Sequence, residues 1–205
     1  MDKKERMDIP TADQLSRELT RLRYGERFRR TLRETIGSLI VALAVIVLLS
    51  NLLLPALRVT GSGMEPTLKR GQTVLCRKGA EPERGDVIAF YYNKKILIKR
   101  VIGVAGDTIE IEEDGTVKRN GERLEEPYTA DKSYGECDIE FPYEVPDSRY
   151  FVMGDNRSVS VDSRSTALGC VAEEDILGRI SYIVYPIGEA GELESGGKRG
   201  YEEKE

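Results

Sequence analysis

The chain has 205 residues, 36 acidic against 31 basic side chains, a net charge of −5 and no histidine. The lack of imidazole excludes a Ser-His-Asp triad, a Cys-His pair and every His-ligated zinc site. Residues 1–35 hold ten Lys/Arg against seven Asp/Glu, so the larger remainder is acidic and offers no basic footprint for nucleic acid.

The first segment, residues 1–35, reads as a basic cytoplasmic stretch. From Gln14 to Arg33 it sets Leu15, Leu19, Leu22 and Phe28 among Arg21, Arg23, Arg27, Arg29, Arg30 and Arg33, which predicts a short basic helix, either drawn to anionic lipid or simply solvated. From Thr35 to Leu57 no residue is charged, and Leu39 to Leu49 is almost purely aliphatic. At about 1.5 Å per residue this run crosses a hydrocarbon core of about 30 Å. It is too long for a secretory h-region and has no small-x-small cleavage site behind it, so residues 36–57 are predicted to be an uncleaved transmembrane helix. The arginines before it put the N-terminus in the cytoplasm and the larger domain, residues 58–187, outside.

The stretch Val59-Thr60-Gly61-Ser62-Gly63-Met64-Glu65-Pro66-Thr67-Leu68 follows at once. Its glycines allow close backbone approach and Pro66 fixes a turn without donating an N–H, so the loop can hold another polypeptide by its main chain. Gly63 lies six residues past Leu57, which keeps it within about 20 Å of the bilayer surface.

Strand patterns come next: Thr73 to Cys76, Val87 to Tyr92 and Lys95 to Val104. Ile109 and Ile111 then alternate with Glu110 and Glu112, and the turns Asp114-Gly115 and Asn120-Gly121 predict consecutive hairpins. Pro127, Pro142 and Pro146 make residues 125–146 a long surface excursion, part of a hairpin-and-loop region at about 108–148. Arg149 to Met153 is a further strand, and residues 188–205 are predicted to be a disordered tail. The fold class is mainly β, an antiparallel sheet domain behind one N-terminal transmembrane helix. Cys76, Cys137 and Cys170 fit no metal pattern; one disulfide is possible, and three free thiols, at least one packed as a small hydrophobe, are the alternative.

Two stretches carry candidate chemistry. In a strand, Lys99 shares a face with Leu97 and Val101, while Arg100 points the other way with Ile98. Aliphatic neighbours strip water from the ammonium and bring its pKa toward general-base range, although a lone strand lysine is usually an edge or snorkelling charge. After the turn Gly154-Asp155-Asn156, the residues Ser160, Asp162 and Arg164 alternate, so in an extended segment they face one way. There a hydroxyl can orient a lysine amine and a carboxylate can pair with a guanidinium, although an isolated run of this kind is usually a polar turn.

Together these stretches resemble the bacterial type I signal peptidases, membrane-anchored Ser/Lys endopeptidases that remove signal peptides from exported proteins. The likeness runs from the apolar segment to about Tyr185. Its five boxes are Val59 to Leu68, Arg84 to Phe90, Lys99 to Gly103 with Gly106-Asp107, Gly154 to Arg164, and Leu168 to Gly178. The resemblance implies Lys99 as general base, Ser160 as the partner that orients it, and Asp155, Asp162 and Arg164 as supports. It implies that Met64 and Pro66 border the substrate, with shallow pockets for small side chains. It further implies an antiparallel β domain with its groove at the bilayer, in a bacterial plasma membrane. Exported precursors with signal peptides and the lipid bilayer would be the partners, with neither cofactor nor metal.

One position departs from that pattern. The residue before the box methionine is the attacking serine of the family, and here it is Gly63, which has no side-chain oxygen. By the family's mechanism the chain is therefore expected to be close to inactive. Three readings stand open: a serine replaced by glycine in an otherwise active peptidase, a natural pseudopeptidase acting as a membrane-side assembly factor, or Ser62 in the role. Ser62 is disfavoured because adjacent side chains of an extended loop point to opposite sides. The intact Lys99 and Ser160 lean toward recent loss or replacement of the serine.

Overall fold

The computed structural model describes residues 11–193. The chain forms two compact units, Met1–Ser50 and Asn51–Glu205. The N-terminal helix α1 (Ala12–Leu53) is one element of 42 residues. The predicted basic helix and apolar run are thus continuous, since good helix formers fill the segment and no proline interrupts it. The helix stops at Leu53 instead of Leu57 because Leu54 precedes Pro55, whose ring disfavours α conformation in the residue before it. Within it, Phe28–Leu48 has a mean hydropathy of 1.9, and Leu39, Ile40, Leu43 and Ile46 are all exposed. By length and composition this helix fits a single-pass membrane anchor.

The second unit is antiparallel β. Its strands are β1 (Ala56–Arg58), β2 (Thr73–Arg77), β3 (Val87–Tyr92), β4 (Lys95–Val104), β5 (Thr108–Ile111), β6 (Val117–Arg119), β7 (Glu122–Arg123), β8 (Tyr143–Glu144), β9 (Arg149–Met153), β10 (Val171–Ala172), β11 (Ile176–Tyr185) and β12 (Gly191–Glu192). The larger sheet has the order β1-β2-β11-β3-β4-β9-β10, with β12 pairing β11; the smaller has the order β7-β6-β5-β8. The smaller sheet is an insertion between β4 and β9, which are themselves neighbours. Asn120 and Gly121, with φ of 55° and 79°, close the hairpin joining β6 and β7 in the left-handed conformation that two-residue turn requires.

Strand β3 is buried on both sides, Val87 and Ala89 in one core cluster and Ile88 and Phe90 in another. A third cluster joins the sheets, with Ile102, Phe151 and Met153 packed among Ile109, Ile111, Val117 and Val145. These aliphatic contacts fix β4 and β9, the strands that carry or precede the candidate site.

Three expectations need correction. Strand β11, which sits between β2 and β3, is absent from the sequence reading; its register shifts near Ile176, Ile180 and Ile183 break the period of two by which a strand is recognised. The tail predicted disordered from residue 188 is ordered as far as Leu193. There β12 pairs with Tyr182 and Ile183, and Glu189 accepts hydrogen bonds from Gln72 Nε2 (2.6 Å) and Lys69 Nζ (3.2 Å). Residues 194–205 lie outside the described residues. Finally, the 125–146 excursion is not confined to the surface: Glu126 and Val145 are buried, and β8 adds a strand to the smaller sheet.

Candidate active site

The glycine-containing loop after β1 is plugged into the core at two points. Met64 and Leu68 pack among Val74, Cys76, Val87, Ala89 and Ile180, and the Leu68 N–H donates to the Met64 carbonyl at 2.8 Å. Gly63, next to the first plug, is half-buried, while Pro66 is exposed. The Met64 side chain, expected to border a substrate, points into the core at 3% exposure.

Lys99 stands opposite Ile88 in the β3–β4 ladder and is buried. Its Nζ donates to Ser160 Oγ at 2.5 Å. A Cβ built on Gly63 lies 3.2 Å from Lys99 Nζ and 3.7 Å from Ser160 Oγ. Sequence positions 63, 99 and 160 therefore converge within a few ångströms, and the missing side chain is the one that would meet the amine. Burial pushes the Lys99 pKa below its ordinary 10.5, and the Arg164 charge adds to this; the carboxylates of Asp162 and Asp155 oppose it without cancelling it.

The segment holding Ser160, Asp162 and Arg164 is not the extended strand on which their alternation was argued. It is a series of turns after β9, yet Ser160, Asp162, Ser163 and Arg164 are buried while Val159 and Val161 are exposed. Internal hydrogen bonds achieve what a strand would have done. The Ser163 N–H donates to the Val152 carbonyl at 3.0 Å and the Val152 N–H to Ser163 Oγ at 2.9 Å, which stitches the loop back onto β9. Arg164 Nε donates to Asp162 Oδ1 at 2.8 Å, and Arg164 Nη2 donates to the carbonyls of Arg157 (2.9 Å) and Ser160 (3.3 Å). Burial alone would raise the Asp162 pKa, but Arg164 and the Gly154 N–H, at 3.0 Å, hold it below the usual carboxylate value. Asp162 is thus a fixed anion whose field reaches Lys99.

Sequence reasoning missed several members of this network. Gly154, read only as a turn residue, lies where a Cβ would strike Ser160 Oγ and the Gly63 carbonyl. Its lack of a side chain lets the 154–156 turn approach the loop, and the Asn156 N–H donates to the Gly63 carbonyl at 3.1 Å. Arg100, beside the candidate base, grips Asp155 through Nε (2.8 Å) and Nη2 (2.6 Å), and Thr67 Oγ1 donates to the same carboxylate at 2.5 Å. The Arg100 guanidinium also lies 4.0 Å from the centroid of the Tyr128 ring. Glu126 pairs with Arg157 at 2.5 Å, with both side chains 0% exposed. Of these, Arg100 carries a legible signal, a guanidinium on the largely apolar strand β4, whose partner Asp155 in the turn after β9 was already named as a support. Glu126 carries none, because Glu125-Glu126-Pro127 reads as an ordinary loop.

Among the described residues no group of three or more His, Cys, Asp or Glu is arranged to hold a metal. The cysteines are free, and burial pushes the Cys76 thiol up to about 11, which leaves it protonated and unreactive at neutral pH.

A lysine starved of water and tied to a serine thus stands beside residue 63, on an antiparallel scaffold without histidine. Residues 32–185 match the family described as signal peptidase, peptidase S26, and the chain belongs to that family. It is 36% identical over 162 residues to signal peptidase I of Bacillus amyloliquefaciens, covering 73% of this chain and 83% of that protein. It is 33% identical over 181 residues to signal peptidase IB of Staphylococcus aureus strain Mu50, covering 78% and 93%. A crystal structure of a signal peptidase I from Enterococcus faecalis V583 aligns with a TM-score of 0.42 at 33% identity, over 49% of this chain and 97% of that one.

Proposed function

We propose that this site is built to cleave signal peptides from exported precursors by a Ser/Lys mechanism, and that with Gly63 the chain is close to inactive by that route. The observation that carries this reading is the 3.2 Å between the Gly63 Cβ position and Lys99 Nζ. In the reading, a hydroxyl on residue 63 gives its proton to neutral Lys99 and its oxygen attacks the peptide carbonyl. The Lys99 ammonium then protonates the leaving amine, and water activated by Lys99 hydrolyses the ester. Ser160 orients the amine; Asp162 and Arg164 hold the loop that carries Ser160, and Asp155 holds the turn beside it. Met64 borders the substrate by its backbone, with Pro66 exposed nearby. Removing a catalytic serine from such a set leaves about 10³–10⁴-fold catalysis over water.

The helix α1 is read as a single-pass anchor in a bacterial plasma membrane, with the basic N-terminus cytoplasmic and the β domain outside. Precursor proteins and the bilayer are the partners in this reading, without nucleic acid. A second reading, favoured by Gly63 itself, is a pseudopeptidase that holds signal-peptide-like segments without cutting them. Ser62 has less support as a substitute nucleophile: it is exposed, and its carbonyl accepts from Asn156 Nδ2 at 3.4 Å, while residue 63 is the one directed at the amine.

The deciding experiment is Gly63→Ser in detergent or membranes with a precursor bearing a small-x-small site. Cleavage after that site is expected. A folded Gly63→Ser protein that leaves intact a precursor cut by an authentic signal peptidase overturns the cleavage reading. Binding of signal peptides by the unaltered chain, measured in parallel, tests the second reading.

A further inference from the structure

We propose that the depression between the ends of β4 and β9 and the turn before β3 is a second binding site, which takes a polypeptide segment through a lysine or arginine side chain flanked by an apolar residue. It lies apart from the site around Gly63 and does not depend on the cleavage reading.

Two cavities meet there. The larger, about 620 Å³, lies around Tyr150 with Glu81, Glu83 and Glu173 at its rim; the smaller, about 310 Å³, is walled by Ala80, Ile176 and Leu177. They share Glu81, Pro82 and Glu173, and each falls in the size range of small-ligand sites. The larger cavity is short of cations. Arg84 lines it, but Asp107 already holds that guanidinium through two hydrogen bonds of 2.8 Å. Arg149 also lines it, and its Nη1 donates to the Cys170 carbonyl at 3.1 Å. The carboxylates of Glu81, Glu83 and Glu173 have no hydrogen-bond or ion-pair partner among the described residues, so three anions face the single unpaired charge of Arg149.

Acidic side chains alone are only a solvated rim; the Tyr150 hydroxyl makes them a site. Tyr150 is 7% exposed, yet no described residue hydrogen-bonds its hydroxyl. Every described side-chain polar atom sealed from water has a partner, so this oxygen ends in the cavity that Tyr150 lines. Burial, and then the charges of Glu173 and Glu81, push the phenol above its ordinary 10, which keeps it protonated and places both carboxylates around it.

That combination selects the ligand. An ammonium or guanidinium carries enough N–H donors for two carboxylates and a phenol oxygen at once. A bare metal ion does not fit, because no three acidic groups among the described residues are arranged to hold one. The apolar wall beside the carboxylates receives the neighbouring side chain of a polypeptide, which a free polyamine lacks. Tyr150 stands four residues before Gly154, about 13 Å along β9 from the turn that meets Gly63, so the cation bound here is distant from the candidate base.

The test measures fluorescence anisotropy of a short blocked peptide, alanine and leucine around one lysine, with the unaltered full chain in detergent. The lysine peptide is expected to bind about tenfold or more tightly than the same peptide with norleucine in place of lysine. Glu81→Gln with Glu173→Gln is expected to weaken it about tenfold, while the charge-matched pair Glu140→Gln with Glu144→Gln leaves it within about twofold. Tyr150→Phe is expected to weaken binding about threefold and to melt where the unaltered chain melts, because the hydroxyl has no internal partner to lose. Absence of binding, or an equal loss in the charge-matched pair, overturns the site. A lowered melting temperature for Tyr150→Phe would show that the hydroxyl serves the fold and overturns it too. Spermidine binding more tightly than the peptide overturns the polypeptide assignment in favour of a small amine. Displacement by a signal-peptide segment would put the lysine peptide at Gly63 and overturns the separate site while leaving the cleavage reading intact.

Discussion

Lys99 is placed where an ammonium is costly, and in the proposed mechanism that cost is its use. Desolvation lowers its pKa from 10.5, so the unfolded chain binds the proton that the folded chain releases. Between the lowered value and 10.5 the folded state therefore gains stability as pH rises, and below both values the buried charge is a penalty. In the proposed mechanism the same shift governs catalysis in the Gly63→Ser protein. Its kcat/KM is expected to rise with pH along a limb whose apparent pKa is well below 10.5, and to be lost on acidification as Lys99 takes up a proton. A pH–rate profile in detergent checks this; a limb at the ordinary lysine value would mean that the amine is hydrated in the working enzyme.

At the scale of elements, the insertion between β4 and β9 does more than decorate the larger sheet. Glu126 from the insertion closes on Arg157, whose Nε donates to the Gly154 carbonyl at 3.0 Å. The carbonyls of Ser133 (3.1 Å) and Tyr134 (2.8 Å) accept from Arg164. The loop that presents Ser160 to Lys99 is thus clamped from the insertion side by two buried arginines. Glu126→Ala strands Arg157 as an unpaired buried charge, an error that typically costs about 3–5 kcal/mol. Chemical denaturation is expected to show a loss of that size; a loss below about 1 kcal/mol would mean the pair is solvated like a surface bridge. Much of this layer was legible: the strands at Val87–Tyr92, Lys95–Val104 and Arg149–Met153 fall where β-branched and aromatic runs predicted them. Strand β11 was not, because its bulges break the alternation. Nor was Glu126, because a carboxylate beside a proline looks the same whether it meets water or a buried guanidinium.

At the scale of the molecule, α1 offers 21 residues at a mean hydropathy of 1.9 between Phe28 and Leu48, and the basic charge lies before and at the start of that segment. Protease added to wall-stripped cells is expected to digest the β domain and to spare an epitope placed before Thr35. Digestion of the epitope with the β domain protected would reverse the orientation. The apolar span, the strand-forming runs, the glycine at position 63 and the five boxes are properties of local composition and order, so the chain alone was enough to show them. The meeting of Gly63, Lys99 and Ser160, the burial of Asp162 with Arg164, and the clamp of Glu126 on Arg157 were decided only by the tertiary structure. Each joins residues far apart in the chain or set by an irregular loop, and burial and partner, which no local pattern records, settle whether a charged side chain is a solvated ornament or part of a site.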